Sequence, residues 1–361
     1  MKKKLRKCGI VLKIAVLAGA AVYCAAEAVS VREAVREAVE RCLFTLIPAL
    51  YAMMIAAGAL ARSGCAAYVG RFLDRPAGIL FGMTGEELVV FFCGSFTGYL
   101  TGAKMLCVMN DEGRVTGTRG GWLLGFCFGA GPAFISGCIA AQLYGSQTVG
   151  SLIFLSTAGA NILIAFLAAP FIKRHKPEVR KSSHLLLDSK VIMDSTLSAG
   201  QSMTEVCFIT AAFAVAADIL RKSGAMQLIG FVLSGIVNNS GENAGNMLLD
   251  VSATSTLPHG DHSMLPLICA LVSFGGFCVI FQLAAVCRGK FSLVPFTVVR
   301  SAAAVLSFIL CRGLMPYFLR NETVAVSTVH ASVHSSPSPV PSIMLCIMTV
   351  MLLAGSAHRK K

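Results

Sequence analysis

Charged side chains are scarce in this sequence, and their scarcity limits the class of protein that it can encode. Asp, Glu, Lys and Arg make up 14% of the 361 residues, against about 25% in an average soluble domain. Hydrophobic residues make up 55%, and the mean hydropathy is +0.73. They form separate runs of roughly 20 residues, the length of helix that spans a hydrocarbon core of about 30 Å. An ordinary soluble domain is therefore excluded, and we expect an all-α protein that crosses a membrane many times.

Motifs of catalysis and metal binding are also missing. None of the 14 cysteines belongs to a C-x-x-C pair, so we expect buried, reduced thiols rather than a disulfide scaffold. The sequence contains no G-x-x-x-x-G-K-[ST], no G-x-S-x-G and no H-E-x-x-H, which removes three common enzyme signatures. The segment PHGDH at 258–262 predicts a solvent-facing loop rather than a metal site. The sequence therefore predicts no enzyme, no metal and no cofactor.

Acidic residues are outnumbered, with 18 Asp and Glu against 31 Lys and Arg and a formal net charge of +13. The basic residues cluster beside apolar runs, at 2–7, at 173–181 and at 359–361. Clusters in such places mark the cytoplasmic side of a membrane, so we expect the lipid bilayer, and not a nucleic acid, to be the partner of this charge. The N-terminus, the basic loop and the C-terminus are predicted to be cytoplasmic.

The first 41 residues predict a retained signal anchor and a surface helix. An apolar run at 9–29 follows the basic start, and the many later spans make a cleaved signal peptide the weaker interpretation. Residues 31–41 read VREAVREAVER, with valine every four residues between Arg and Glu. This spacing is typical of an amphipathic helix with i,i+4 charge pairs that lies on the membrane surface.

The chain divides into five predicted segments. They are the N-terminal span and amphipathic helix (1–41), a first repeat (42–172), a cytoplasmic linker (173–203), a second repeat (204–316), and a Ser/Pro-rich linker with a C-terminal span (317–361). The eight predicted full spans lie near 9–29, 43–61, 121–143, 150–172, 204–220, 264–286, 291–314 and 343–357.

Two further apolar stretches, 78–109 and 226–257, are interrupted by Gly-, Ser- and Thr-rich segments, and each predicts a re-entrant hairpin. With both termini and the basic loop in the cytoplasm, the first hairpin enters from the cytoplasmic side and the second from the outer side. The second half then repeats the first in inverted orientation. The local matches are ARSG with RKSG, and Phe-Gly at 128–129 with Phe-Gly at 274–275. Inverted repeats with broken helices are typical of secondary transporters.

The first hairpin carries the segment GSFTGYLTGAK at 94–104. Its glycines loosen the helix, and its hydroxyl groups can satisfy freed backbone or a substrate. A helix that restarts near Thr101 directs free N–H groups at the break, which favours an anion. An intramembrane lysine is a functional candidate unless it snorkels to the cytoplasmic face. The predicted substrate-binding residues here are Ser95, Thr97, Tyr99, Thr101 and Lys104.

The second hairpin carries DVSATST at 250–256. Its aspartate can pair with Lys104, bind a proton or cap the broken helix. Two more polar residues interrupt later apolar runs, Gln282 and Arg300, and the arginine either stays buried or snorkels. The predicted substrate-binding residues of the second half are Asp250, Ser252, Thr254, Thr256 and Gln282.

These segments resemble the YlbJ/SpoVV sporulation membrane proteins, part of the wider nucleoside-recognition gate-domain group. GSFTGYLTGAK followed by FGAGPAFISGCI at 128–139 is similar to the family pattern G-x-x-S-G-Y-P-x-G-A-K and then N-x-x-P-x-F-I-x-G. LLDVSATST and FGGFCVIFQLAAV resemble the second half, and the resemblance covers 43–316. Two features depart from the family: Leu100 replaces the proline, and the acidic-glycine motif is replaced by DVSATST.

The resemblance implies a bacterial, spore-forming source and transport of dipicolinate, a small aromatic dianion, across the outer forespore membrane. A coupling ion and a homo-oligomer are compatible with it. A nucleoside or another carboxylate is the alternative substrate. A second alternative is a non-transporting scaffold for sporulation partners, which the polar breaks disfavour because such breaks are costly at membrane depth without a cavity.

Overall fold

The computed structural model describes residues 13–14, 17–170, 188–234, 241–252 and 259–319, and these residues form helices joined by short connections without any strand. The helices are α1 (Leu17–Ala26), α2 (Ala28–Arg41), α3 (Ile47–Arg62), α4 (Cys65–Leu80), α5 (Gly85–Thr97), α6 (Tyr99–Asp111), α7 (Gly117–Phe126), α8 (Pro132–Tyr144), α9 (Gln147–Ala168), α10 (Ser189–Lys222), α11 (Ala225–Ser234), α12 (Gly241–Leu249), α13 (Leu265–Phe274), α14 (Gly276–Cys287) and α15 (Leu293–Phe318). A π-helical turn, Cys42–Leu46, joins α2 to α3.

Four helices are long and apolar enough to cross a bilayer: α9, α10, α15 and the run His262–Cys287 that contains α13 and α14. Two bent pairs also qualify if each is counted as one span, and these are α2 with α3, bent by 55°, and α4 with α5, bent by 88°. The described residues therefore contain four to six candidate spans. The prediction of an all-helical, membrane-embedded protein is confirmed.

The second half begins differently from the sequence prediction. The sequence predicts a polar linker, an amphipathic segment at about 190–203 and a separate span from 204, whereas the structure joins the last two in one helix of 34 residues, α10, starting at Ser189. Asp188 begins it by accepting a hydrogen bond from the Ser189 N–H at 2.8 Å. No proline interrupts the helix, so it continues for about 51 Å at 1.5 Å per residue. The basic loop at 173–181 and the C-terminal span lie outside the described residues.

Glycines bring α7 directly onto α15. A Cβ on Gly120 would lie 2.2 Å from the Phe291 ring, and one on Gly125 would lie 2.7 Å from Val299 Cβ. Small residues allow membrane helices to approach closely, and this approach replaces the hydrophobic driving force that is absent in lipid. α15 also packs against α9 and α13.

A buried ion pair fixes the sharp bend between α4 and α5. Thr84 and Glu87 form a capping box at the start of α5. The Glu87 carboxylate also accepts hydrogen bonds from Arg119 Nε at 2.5 Å and Nη2 at 2.6 Å. Arg119 Nη2 additionally donates to the Gly82 carbonyl oxygen at 3.1 Å. The bend is therefore held by charge as well as by its cap, at the end of the molecule where α6 is connected to α7.

Candidate binding cavity at the helix breaks

The first hairpin breaks at a single glycine. α5 ends at Thr97, Gly98 has φ +117° and ψ 169°, and α6 begins at Tyr99. Only glycine adopts this conformation readily. The sequence predicts an unwound turn at 94–98, and in the structure Gly94 and Ser95 remain helical.

A second break of the first half packs against the hairpin. Residues 127–131 separate α7 from α8, and Pro132 begins α8 at a position where its missing N–H costs nothing. A Cβ on Gly94 would lie 2.1 Å from the Cys127 carbonyl oxygen, and one on Gly102 would lie 2.3 Å from it. The glycines of the hairpin therefore let both of its helices touch the backbone of this break.

The second half also has two breaks that contact each other. After α12, the Asp250 carboxylate accepts hydrogen bonds from the Ser252 N–H at 2.9 Å and the Ser252 hydroxyl at 2.7 Å. Gly275 and Gly276, with φ +93° and +73°, separate α13 from α14. A Cβ on Gly276 would lie 3.1 Å from the Val251 nitrogen. Both halves of the described chain therefore contain irregular backbone between helices.

Three of these breaks, at Gly98, at 127–131 and after α12, line a cavity of about 50 Å³, which has room for about three or four water molecules. Residues of both halves and of the α2–α3 bend line it. The lining residues are Leu46, Leu50, Met53, Phe96, Thr97, Gly98, Tyr99, Leu100, Gly131, Ala133, Phe134, Asp250, Val251, Ser252, Val279 and Gln282. Five of the predicted substrate-binding residues are among them: Thr97, Tyr99, Asp250, Ser252 and Gln282.

Several polar groups on the cavity wall have partners within the protein. Tyr99 donates its hydroxyl hydrogen to the Val272 carbonyl oxygen at 2.7 Å. Gln282 Nε2 donates to Thr210 Oγ1 at 2.9 Å, and Thr97 Oγ1 donates to the Cys93 carbonyl oxygen at 2.6 Å. Binding of an organic molecule in this cavity therefore requires both expansion and an exchange of hydrogen bonds.

The other predicted residues of the first hairpin are placed elsewhere. Ser95 and Thr101 are buried within the hairpin and do not line the cavity. Lys104 points to α10, where Nζ donates to Ser202 Oγ at 2.8 Å and to the Ser198 carbonyl oxygen at 3.2 Å. Thr254 and Thr256, predicted for the second hairpin, lie outside the described residues.

The sequence leaves open whether Arg300 is buried or snorkels, and in the structure it is completely buried. Nη1 donates to the carbonyl oxygens of Gly125 at 3.1 Å and Phe128 at 2.5 Å. Nη2 donates to Asn161 Oδ1 at 2.7 Å and Ser273 Oγ at 3.2 Å. The guanidinium thus joins the break after α7, the end of α13 and the middle of α9.

Sequence reasoning did not include Asn161 among the site residues. It accepts from Arg300 and donates Nδ2 to the Phe128 carbonyl oxygen at 3.0 Å. The available signal was an amide in the apolar second half of α9, far from Gln147, the other amide of this helix of 22 residues. Such a residue needs a partner inside the protein, because lipid offers none.

No family model, no curated protein and no solved structure matches the chain. The resemblance to the gate-domain group therefore stays a prediction.

Proposed function

We propose that this chain is a secondary transporter of a small organic anion in a bacterial membrane, with dipicolinate in the outer forespore membrane as the favoured substrate. The observation that carries the proposal is the cavity, on which helix breaks of both halves converge. Irregular backbone at membrane depth is tolerated where protein covers it or where it lines a polar cavity. In transporters with repeated halves, such breaks form the substrate site at the repeat interface.

Matching helix ends support the two-repeat part of the proposal. α3 and α10 both end at a Ser-Gly pair, with φ and ψ of −71° and −9° at Ser63 and of −74° and −6° at Ser223. The following Gly64 and Gly224 have φ of +75° and +78°. Each serine hydroxyl donates to the carbonyl oxygen three residues earlier, at 3.3 and 3.2 Å. The match of ARSG with RKSG is therefore a match of backbone conformation as well as of letters.

The order of elements gives the same correspondence. Each half continues with two shorter helices, α4 and α5 in the first and α11 and α12 in the second. Each half then closes with a helix, a break, a second helix and a long apolar helix, which are α7 to α9 and α13 to α15. Within the residues that the structure describes, α6 has no counterpart in the second half.

Contacts between the halves support opposite orientations. Arg62 Nη1 donates to Ser195 Oγ at 3.2 Å, which places the end of α3 beside the start of α10. The end of α10 lies beside the N-terminal helices, where Tyr23 donates to Asp218 at 3.0 Å. The Gly260 N–H donates to the Leu143 carbonyl oxygen at 2.9 Å. Each of these pairs falls on one side of the membrane in the inverted-repeat topology.

The carboxylate of Asp250 on the cavity wall limits how an anion could be transported. Asp250 lines the cavity together with the predicted hydroxyl and amide groups. An ionised carboxylate repels an anionic substrate, and the repulsion is strong at low dielectric. The proposal therefore includes co-transport of a proton or cation that neutralises Asp250 while substrate is bound.

Uptake of dipicolinate into proteoliposomes tests the proposal. We expect uptake by the purified protein that other small carboxylates inhibit and inosine does not. Thr97→Val is expected to lower the rate, because Thr97 lines the cavity. Thr204→Val is the matched control, since Thr204 makes the same bond to the carbonyl four residues earlier, at 3.0 Å, but is exposed on α10. Inhibition by inosine alone would favour a nucleoside transporter, and no uptake of either would favour the scaffold.

A further inference from the structure

Arg300 is a buried cation without an acidic partner. Its exposed fraction is 0%, and no Asp or Glu of the described residues forms an ion pair with it. Its four acceptors are two carbonyls, an amide and a hydroxyl, all neutral. An isolated charge inside a membrane protein is costly, and such residues are typically functional. Hydrogen bonding alone therefore does not account for a charged group at this position.

The guanidinium edge formed by Nε and Nη2 has hydrogen-bonding capacity that the protein does not fill. Among the described residues, Arg300 Nε is buried without a hydrogen-bond partner. The neighbouring Nη2 holds Ser273 Oγ at the long distance of 3.2 Å. A carboxylate that accepts from Nε and Nη2 together makes the planar two-bond contact for which arginine is suited.

A second buried donor without a partner lies close by. Ser95 Oγ is buried and unpaired within the described part of the chain. Ser95 and Asn161 both approach Gly129, where an added Cβ would meet Asn161 Nδ2 at 3.3 Å and Ser95 Cα at 3.4 Å. Unpaired donors therefore occur on two residues that surround the same helix break.

Two aromatic rings connect this place to the cavity. Tyr99 lines the cavity, and its ring centroid lies 4.6 Å from that of Phe128. The Phe128 ring in turn contacts Arg300, whose Cζ lies 5.3 Å from the ring centroid. The Tyr99 hydroxyl is bonded to Val272, the residue before Ser273. Displacement of the Tyr99 side chain would thus change both the cavity wall and the surroundings of the guanidinium.

We propose that Arg300, with Asn161 and Ser95, is the carboxylate-binding subsite of the transporter and is reached from the cavity when the Tyr99–Phe128 ring pair moves. This inference rests on the proposed function and adds the residues that select for negative charge. The carboxylate takes Nε and replaces the Ser273 hydroxyl at Nη2. The aromatic rings then face the apolar part of the substrate.

The substitution Asn161→Asp gives the sharpest test, because it supplies Arg300 with a carboxylate of nearly unchanged shape. It removes the Nδ2 hydrogen bond to the Phe128 carbonyl oxygen, which keeps Arg300 Nη1 as a donor. We expect the variant to fold and to bind dipicolinate at least tenfold more weakly. Its affinity for the uncharged pyridine-2,6-dicarboxamide should change less than threefold. Arg300→Gln should give the same selective loss, and Arg312→Gln, exposed on the same helix, should leave both affinities unchanged. Binding is measured by titration calorimetry in detergent, beside thermal unfolding.

The wild-type protein gives a test that needs no variant. It should prefer dipicolinate over the diamide at least tenfold, and equal affinities would overturn the inference. Unchanged dipicolinate binding by Asn161→Asp, or equal loss of both ligands, would also overturn it and leave the transport proposal intact. If the wild-type protein neither binds nor transports dipicolinate or any other carboxylate, the proposed function and the subsite both fail.

Discussion

Tyr99 of the first half donates a hydrogen bond to the carbonyl oxygen of Val272 in the second half, at 2.7 Å. Val272 lies in the last turn of α13, four residues before Gly276. Carbonyls in the last turn of a helix lack an intrahelical donor, so the phenol satisfies a group that the break at Gly275 leaves free. One hydrogen bond thus joins a helix break of each half at the edge of the cavity.

Tyr99→Phe should destabilise the protein without disturbing the packing of the ring. The substitution keeps the aromatic contact with Phe128 and leaves the Val272 carbonyl buried without its donor, which costs about 1–3 kcal/mol. We expect a lower midpoint of thermal unfolding in detergent. Tyr317→Phe is the control, because Tyr317 is 81% exposed. Equal midpoints for Tyr99→Phe and the wild type would mean that the hydrogen bond does not hold the halves together.

Glu87→Gln should be among the most damaging polar substitutions in the described chain. Glu87 is 1% exposed and Arg119 has a side-chain exposure of 9%, so the substitution removes the Glu87 carboxylate charge from a nearly buried guanidinium. Breaking a buried pair in this way costs about 3–5 kcal/mol. We expect a large fall in unfolding midpoint and in the yield of folded protein.

The exposed pair of Glu33 and Arg36 provides the matched comparison. Both side chains are at least half exposed, at 50% and 59%, and ion pairs in such positions contribute little because water screens them. Glu33→Gln should therefore leave the unfolding midpoint unchanged. A similar response to Glu33→Gln and Glu87→Gln would contradict the structural role assigned to the buried pair.

Gly94→Ala and Gly102→Ala should each prevent the hairpin from packing. The added methyl groups would lie 2.1 and 2.3 Å from the Cys127 carbonyl oxygen, so backbone must move, at a cost of about 3 kcal/mol. Gly137→Ala is the control, since nothing lies within 4 Å of its added Cβ. Size-exclusion chromatography and thermal unfolding in detergent measure the effect. Normal folding of Gly94→Ala would show that the hairpin and the α7–α8 break are farther apart than described.

The sequence located the first break only approximately, because GSFTGYLTG predicts an unwound turn at 94–98 and the structure breaks the helix at Gly98 alone. The Ser-, Thr- and Gly-rich start of α10 stays helical, so such residues do not by themselves mark a break. The direction of the side chains was harder to predict. Tyr99 and Lys104 are five residues apart, or about 140° around a helix, so one helix cannot aim both into the same cavity. Tyr99 faces the cavity and Lys104 faces α10. Helical periodicity applied within the hairpin would have placed Tyr99 and Lys104 on different faces of α6.

The burial of Arg300 could not be predicted from its own helix. An arginine in an apolar helix stays buried only if hydrogen-bond acceptors surround it, and otherwise it snorkels. The acceptors of Arg300 come from distant parts of the chain, at Gly125, Phe128 and Asn161. Two of these partners are backbone carbonyls, which any residue type provides. The sequence around Arg300 therefore does not reveal these acceptors, whereas Asn161, an amide in the apolar second half of α9, does indicate a polar contact.

Labelling of introduced cysteines should show that the two halves have opposite orientations. Arg71 is exposed on α4, and His259 is exposed on the connection before α13. In the inverted-repeat topology, Arg71→Cys is cytoplasmic and His259→Cys is on the outer side. A membrane-impermeant maleimide applied to intact cells should therefore label His259→Cys, and Arg71→Cys only after permeabilisation.

Cysteines at two further positions serve as controls for this labelling experiment. Glu112→Cys should behave like Arg71→Cys, because the ion pairs of Arg114 with Glu86 and Glu112 hold the α6–α7 connection against the start of α5. Gln147→Cys should behave like His259→Cys, because Tyr144 donates to the Asp261 carbonyl oxygen at 3.0 Å and stacks on His262. Labelling of Arg71→Cys and His259→Cys from the same side would exclude the inverted repeat. The cavity would then lie between two halves of the same orientation, and an alternating-access mechanism based on inverted symmetry would have to be abandoned.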